Sequence, residues 1–159
     1  TCYYNEAPIF SLDATNTIRA IKELQSFIDR YPLSSNIKDC NELIDELRSK
    51  LSEKAFENAK QYFTTSNYKS AIIALDNVLI DFPSFNNREE VHFLIVKSTY
   101  LLAINSINIK VKERLEATLE AYAHFEDNYP KSKYLKELKS TYLITESTLI
   151  ELNKKSDEI

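Results

Sequence analysis

The sequence predicts an all-α protein built from repeated pairs of helices. Its 159 residues include no glycine, which disfavours tight two-residue hairpins because those turns need a positive φ. Apolar residues recur at steps of three and four along most of the chain, which is the period of an amphipathic helix. Three of these patterns end at an aromatic residue followed by proline, namely Tyr31-Pro32, Phe82-Pro83 and Tyr129-Pro130. Proline at such a position stops a helix.

The first part of the chain is expected to hold a loop and two helices. Residues 5–12, which include Pro8, are predicted to form a loop, and a helix follows over about residues 13–31 with Asp13 or Thr15 as its N-cap. No helix breaker occurs between about residues 36 and 66, so this stretch is predicted to be one long helix. On its exposed side Glu46 and Lys50 form a favourable i,i+4 pair.

The rest of the chain is expected to add four helices. We place them at about residues 68–82, 88–106, 112–129 and 132–152, with Asn67 marking the first turn and residues 105–111 forming a loop. Glu89 and Glu90 lie in the first turn of the helix 88–106, where acidic side chains complement the helix dipole. The residues after 152 are expected to fray into solvent.

The helix ends FIDRYP, VLIDFP and FEDNYP share one register, which predicts a structural repeat. Their prolines are 51 and 47 residues apart, longer than the 34-residue tetratricopeptide (TPR) period, so each interval is expected to contain a TPR-like unit with lengthened helices or loops. Such units stack into a short right-handed α-superhelix. The residues predicted to form the repeat core are Ala20, Leu24, Phe27, Pro32, Ala59, Tyr62, Ala71, Leu75, Pro83, Tyr122, Phe125 and Pro130.

The repeat also sets the expected domain organisation. One TPR-like domain is predicted over residues 1–154, followed by a frayed tail at residues 155–159. Within the domain we expect a partial repeat at residues 1–34, full repeats at residues 36–84 and 86–131, and a capping helix at residues 132–154.

The composition excludes several classes of function. A net charge of −4 with interspersed lysines gives no basic surface for nucleic acid, and the absence of glycine removes phosphate-cradling loops. No apolar run approaches the roughly 20 residues that cross a bilayer. Cys2 and Cys40 lie in helix-like sequence without a CxxC motif, so we expect two unpaired residues, although an oxidising compartment would permit one disulfide.

Patterns typical of catalysis or metal binding are missing from the sequence. His92 and His124 are the two histidines, and Glu89, three residues before His92, predicts a surface hydrogen bond rather than a set of metal ligands. We therefore expect no enzymatic activity, no metal and no cofactor, and the sequence predicts a scaffold or binding module. Charged residues on exposed helix faces are candidate partner contacts or simply solvated: Arg88, Lys97, Lys110, Lys112, Arg114 and Lys131.

The order of the motifs resembles a known family, and the resemblance covers nearly the whole chain. In the first helices it rests on Asp13, Thr17, Ala20-Ile21, Phe27-Ile28, Tyr31-Pro32 and Ser34, then on Leu47-Arg48, Lys50-Leu51, Lys54, Phe56, Ala59 and Tyr62. It continues with Tyr68-Lys69, Ala71-Ile72, Asp81-Phe82-Pro83, Asn105-Ser106, Lys112-Glu113-Arg114, Tyr129-Pro130, Ser132 and Tyr134. These residues resemble the BamD (YfiO-like) outer-membrane assembly lipoproteins, in the form found in Bacteroidota.

The resemblance implies a non-catalytic scaffold of the machinery that folds and inserts outer-membrane β-barrel proteins. Intact family members are lipid-anchored at the periplasmic face of the outer membrane, so the chain is expected there, with the membrane reached only through an N-terminal lipid. Cys2-Tyr3-Tyr4 is similar to the end of the first helix of the third repeat. The chain would then be a C-terminal portion that lacks the signal peptide, the lipidated cysteine and two repeats.

The resemblance also implies the partners. N-terminal repeats of the family receive unfolded outer-membrane proteins, and C-terminal repeats dock the POTRA domain of BamA, alongside other lipoproteins of the machinery. We expect this chain to keep the second role, and the candidate partner-binding residues are Asn67, Tyr68, Lys69, Asn105, Lys110, Lys112 and Arg114. The alternative hypothesis is a TPR adaptor of another pathway that binds a peptide in its concave groove.

Overall fold

The protein is helical throughout the part that the structure describes. The computed structural model describes residues 14–157, except for the side chains of Asn108 and of residues 155–157. This part of the chain forms six α-helices and no strand, so the all-α, TPR-like fold class is confirmed. The predicted loop at residues 5–12, the candidate cap Asp13 and Cys2 lie outside the described residues.

Four helices lie within two residues of their predicted bounds. They are α1 (Thr15–Arg30), α2 (Ile37–Thr64), α3 (Tyr68–Asp81) and α4 (Arg88–Ile104). The N-cap of α1 is Ala14 and not Thr15, which is already helical, and the side chain of Ala14 makes no capping hydrogen bond. Glu89 and Glu90 lie in the first turn of α4, as predicted.

The two remaining helices differ from the prediction at their ends. The fifth helix, α5 (Asn108–Asn128), begins four residues earlier than expected because Ile107 is extended and can serve as its N-cap without any breaker. The sixth, α6 (Leu135–Asp157), begins later because residues 129–134 complete a turn after the preceding helix. It also continues past residue 152, where we expected the helix to end.

The three aromatic-proline helix ends form one recurring six-residue turn. In each, the residue before proline has nearly the same backbone angles: φ −128° and ψ 61° at Tyr31, φ −128° and ψ 71° at Phe82, and φ −132° and ψ 57° at Tyr129. Its N–H still donates to the carbonyl four residues earlier, and its own carbonyl accepts from the N–H three residues later at 3.0 Å. Proline excludes the helical angles at the preceding residue, so the sequence sets this turn locally.

The turn between α2 and α3 has a different backbone conformation and hydrogen-bond pattern. Ser66 has φ 61°, and it is the one positive-φ residue in the described chain. The N–H of Asn67 donates to the Tyr62 carbonyl at 2.8 Å, and the N–H of Ser66 donates to the Phe63 carbonyl at 3.0 Å. These two bonds make a Schellman motif, in which a serine occupies the left-handed position that glycine commonly takes. The turn predicted at Asn67 is therefore present.

The chain divides into two compact units, Thr1–Glu57 and Asn58–Ile159, and the division falls inside α2. In the first unit the buried residues of α1 are Thr17 and Ala20. Those of α2 follow one another at helical spacing and are Cys40, Ile44, Leu47, Ser52 and Phe56. On the exposed side of α2, Lys50 Nζ lies 2.9 Å from Glu46 Oε1, which confirms the predicted i,i+4 pair.

The second unit is a layered stack of helices. Helix α3 packs on α4, α4 on α5 and α5 on α6, and α4 also contacts α6. One core cluster joins Val96 of α4, Tyr122 and Phe125 of α5 and Leu138 of α6, and a second contains Ala103, Leu115 and Leu149. Each cluster takes residues from α4, α5 and α6, so these three helices share one apolar core.

The predicted repeat-core residues differ in burial. Six are buried, namely Ala20, Ala59, Ala71, Leu75, Tyr122 and Phe125, whereas Leu24 and Phe27 are half-buried and the three prolines are exposed. Tyr62 departs from the expectation, because 43% of its surface is exposed. Adjacent helical residues point about 100° apart, and here the next residue, Phe63, turns inward and packs its ring 6.0 Å from that of Tyr68.

Candidate protein-binding site

Both predicted docking segments lie at one end of the second unit. Helix α3 returns into α4 through the six-residue turn at residues 82–87, and the two helices pack together, so the start of α3 and the end of α4 share an end. Helix α5 begins at that end as well, after only three connecting residues. We call residues 66–69 together with residues 104–114 the turn end.

Most of the predicted contact residues at the turn end are accessible. Asn67, Lys69, Asn105, Lys110 and Lys112 are exposed, and Tyr68 and Arg114 are half-buried. The Tyr68 hydroxyl donates to Ser66 Oγ at 3.3 Å, and Asn105 Nδ2 donates to the Leu101 carbonyl at 2.7 Å. The three lysines thus remain the freest side chains of the predicted set.

Arg114 has an internal role at the turn end. Its guanidinium donates to Ser106 Oγ, and the Ser106 hydroxyl donates to the Leu102 carbonyl. These bonds link the start of α5 to the end of α4 across the short turn between them. Arg114 therefore holds the shape of the surface, and a partner would meet the residues around it.

An apolar patch at the turn end was missed by the sequence analysis. Ile104 is 51% exposed, Ile107 is 71% exposed and Ile109 is 88% exposed. Single exposed apolar residues are ordinary, but three within six residues at one turn make a patch of the kind that marks an interaction site. The signal was present in INSINIK, where the spacing of the isoleucines changes from a helical step of three to a step of two.

Arg88 and Lys97 are engaged inside the second unit. The Arg88 guanidinium donates to the carbonyls of Leu79 at 3.2 Å and Pro83 at 3.3 Å, which ties the end of α3 to the start of α4. Lys97 Nζ lies 2.9 Å from Glu137 Oε1 and links α4 to α6. Lys131 is exposed in the turn between α5 and α6.

The two histidines meet across α4 and α5. The ring centroid of His92 lies 5.1 Å from that of His124 and 5.6 Å from that of Tyr129. The hydrogen bond expected between His92 and Glu89 stays a prediction. Burial, followed by the charges of His124 and Arg88, lowers the pKa of His92 from 6.5 to about 4. His92 is therefore neutral at pH 7.

The remaining observations on residues 14–157 concern metal ligands, the thiol and the apolar character of the helices. No set of three His, Cys, Asp or Glu side chains in this part of the chain is placed to hold a metal ion. Cys40 is a buried free thiol. None of the helices in the same range combines the length and the apolar character that crossing a bilayer requires.

Comparison with known families identifies the chain. The family model described as "YfiO: Outer membrane lipoprotein" matches residues 3–112. The chain belongs to the YfiO family. No curated protein matches the chain. The matched range runs from before α1 into α5 and therefore includes most of the turn end.

Membership of the YfiO family confirms the BamD-like resemblance. It assigns the chain a role in outer-membrane assembly, association with the outer membrane and protein partners within the assembly machinery. YfiO proteins are scaffold lipoproteins of that machinery. The assignment to the Bacteroidota form stays a prediction.

Proposed function

We propose that this chain is a non-catalytic scaffold of the β-barrel assembly machinery and that its turn end docks the POTRA region of BamA. Two observations support the proposal: the family assignment and the exposed isoleucine patch of Ile104, Ile107 and Ile109. In that arrangement the chain acts at the periplasmic face of the outer membrane, and other lipoproteins of the machinery are further partners.

The chemistry of the turn end defines the surface it fits. Ile107 and Ile109 are exposed apolar side chains of the turn end, where three exposed lysines, Lys69, Lys110 and Lys112, outnumber the one exposed acidic residue, Glu113. Such a surface is complemented by an apolar socket with acidic side chains at its rim. Fully burying an isoleucine side chain contributes about 2–3 kcal/mol, whereas rim charges mainly raise the association rate and make it salt-dependent.

A titration with two matched variants tests the docking surface. The chain is titrated against the purified POTRA region of BamA from the same organism by isothermal calorimetry. Ile107→Ser together with Ile109→Ser should weaken binding at least tenfold, because each removes a central apolar contact, roughly 1 kcal/mol or more. Ile144→Ser is the control, since Ile144 of α6 is 52% exposed and lies outside the turn end.

Two results would contradict the proposal. If the unaltered chain fails to bind the POTRA region, the docking role is wrong. If Ile144→Ser weakens binding as much as the double variant, the docking surface lies elsewhere on the chain. Circular dichroism of each variant shows whether its helical content is unchanged.

A further inference from the structure

A groove separate from the turn end runs between α3 and α5. Both helices pack on α4, but no packing contact joins α3 to α5 in the described chain, so α4 is left as the floor of an open channel between them. The channel has a volume of about 610 Å³, and all of its lining residues belong to the second unit. None of them belongs to the turn end, so the groove goes beyond the docking role proposed above.

The lining of the groove is largely apolar. Helix α3 contributes Ile72, Leu79 and Ile80, and α4 contributes Ile95 from below. The α5 side includes the small residue Ala121, which leaves room above the floor. Ile80 is 73% exposed, so a substantial apolar surface in this channel faces solvent.

The charges in the groove are of one sign. Asp76 lies midway along the α3 wall and Glu120 midway along the α5 wall, and no lysine or arginine is among the described lining residues. His92 and His124 lie toward the end of the groove where α4 begins. Arg88 is close to His92, but its guanidinium donates to the carbonyls of Leu79 and Pro83. Burial raises the pKa of the Asp76 carboxyl, which a cationic ligand would counteract.

The dimensions of the groove suit a short helical segment. From Ile72 to Ile80 the α3 wall spans about 12 Å at the helical rise of 1.5 Å per residue. Apolar anchors at i, i+3 or i+4, and i+7 of a bound helix span about 10 Å and would fit within that length. Lysine or arginine residues on both flanks of such an apolar stripe would reach Asp76 on one wall and Glu120 on the other.

We propose that the groove between α3 and α5 binds a basic amphipathic helix of a partner protein. The apolar stripe of the helix lies on Ile95 and against Ile72 and Leu79, and its flanking cations pair with the two wall carboxylates. Carboxylates on both walls select against an acidic helix of the same apolar pattern, because like charges brought together in a partly apolar channel repel.

The test uses a defined probe rather than an unknown partner. A fluorescently labelled, acetylated and amidated peptide of about 14 leucine and lysine residues, with leucines at helical spacing, is titrated into the full chain by fluorescence anisotropy. A second peptide carries glutamate in place of every lysine. Asp76→Asn and Glu120→Gln remove the wall charges with little change of shape, and Glu151→Gln is the matched control, because Glu151 is exposed on α6, which contributes no lining residue to the groove.

The proposal predicts a definite order of affinities. Each wall variant should weaken binding of the lysine peptide about threefold, the double variant about tenfold, and Glu151→Gln less than about twofold. The glutamate peptide should bind at least about tenfold more weakly than the lysine peptide. Amide chemical shifts in a ¹⁵N spectrum should change at Ile72, Ile95 and Ala121.

Three outcomes would overturn the groove proposal. Equal weakening by Glu151→Gln and Glu120→Gln would show general attraction to an acidic protein. Shift changes confined to residues outside the groove would place the peptide elsewhere. Transferred nuclear Overhauser effects typical of an extended bound peptide would exclude a helix. None of these results bears on binding to the POTRA region, so the two proposals fail separately.

Discussion

Acidification should destabilise the fold through His92. In the folded protein the pKa of this imidazole is about 4, lowered from 6.5 first by burial and then by His124 and Arg88. In the unfolded chain it returns to about 6.5. As the pH falls from 6.5 toward 4 the unfolded state takes up the proton first, so stability present above pH 6.5 is lost in that window.

The size of the effect follows from the shift and from the exposure of the ring. The difference between a pKa of 6.5 and one of about 4 corresponds to at most about 3 kcal/mol. Because His92 is only half-buried, solvent screens its interactions, and we expect a loss of about 1–2 kcal/mol. His92→Phe keeps an aromatic ring beside His124 and Tyr129 and removes the titration, so its stability should not show this part of the pH dependence.

The assay is urea unfolding followed by circular dichroism between about pH 7.5 and pH 4.5, for the unaltered chain and for His92→Phe. The quantity of interest is the difference between their free energies of unfolding at each pH. Asp76, whose pKa is raised by burial, acts with the opposite sign, but it is present in both proteins and cancels in the difference. His124→Phe removes one of the three causes that lower the pKa of His92, so the loss of stability on acidification should become smaller. If the difference does not change with pH, the account of His92 is wrong.

Three substitutions test the packing of the second unit. Ser98 is fully buried and its hydroxyl has no hydrogen-bond partner among the described residues, so Ser98→Ala should stabilise the fold by about 1 kcal/mol, seen as a rise in the thermal midpoint. A loss of that size would reveal a partner. Phe125→Ala should cost about 3–5 kcal/mol in urea unfolding because the ring is fully buried between Val96, Tyr122 and Leu138, whereas Tyr62→Ala, at a side chain 43% exposed, should cost well under half as much; similar losses for the two would refute the burial argument.

The parts of the fold that were predictable depend on local signals. Proline and helical periodicity act within a few residues, so the ends of α1, α3 and α4 could be placed to within two residues. The start of α5 could not be placed from the sequence, because nothing between Asn105 and Val111 forbids a helix. In the structure Ile107 serves as its N-cap. The sequence could not decide which side chain points inward at the end of α2, since Tyr62 and Phe63 are both aromatic and only packing decides between them.

The candidate site was less predictable than the fold because it depends on contacts between helices. Lysines at the turn end could be named from sequence, but the role of Arg114 requires knowing that Ser106 lies across the turn. The contact between His92 and His124 joins residues that are 32 positions apart, so the sequence around either histidine does not predict it. The isoleucine patch could have been recognised in the sequence, because its apolar residues do not keep one constant spacing.

The recurring six-residue turn keeps the same backbone geometry in all three copies, although one of its exposed side chains differs. The residue that follows the proline is exposed in all three copies, yet it is Leu33 in the first, Ser84 in the second and Lys131 in the third. An aliphatic, a small polar and a cationic side chain are thus compatible with the same hydrogen-bonded path. This position can acquire or lose a contact by a single substitution while the helices on either side keep their spacing. It offers protein engineers a place to graft a new binding group at each repeat.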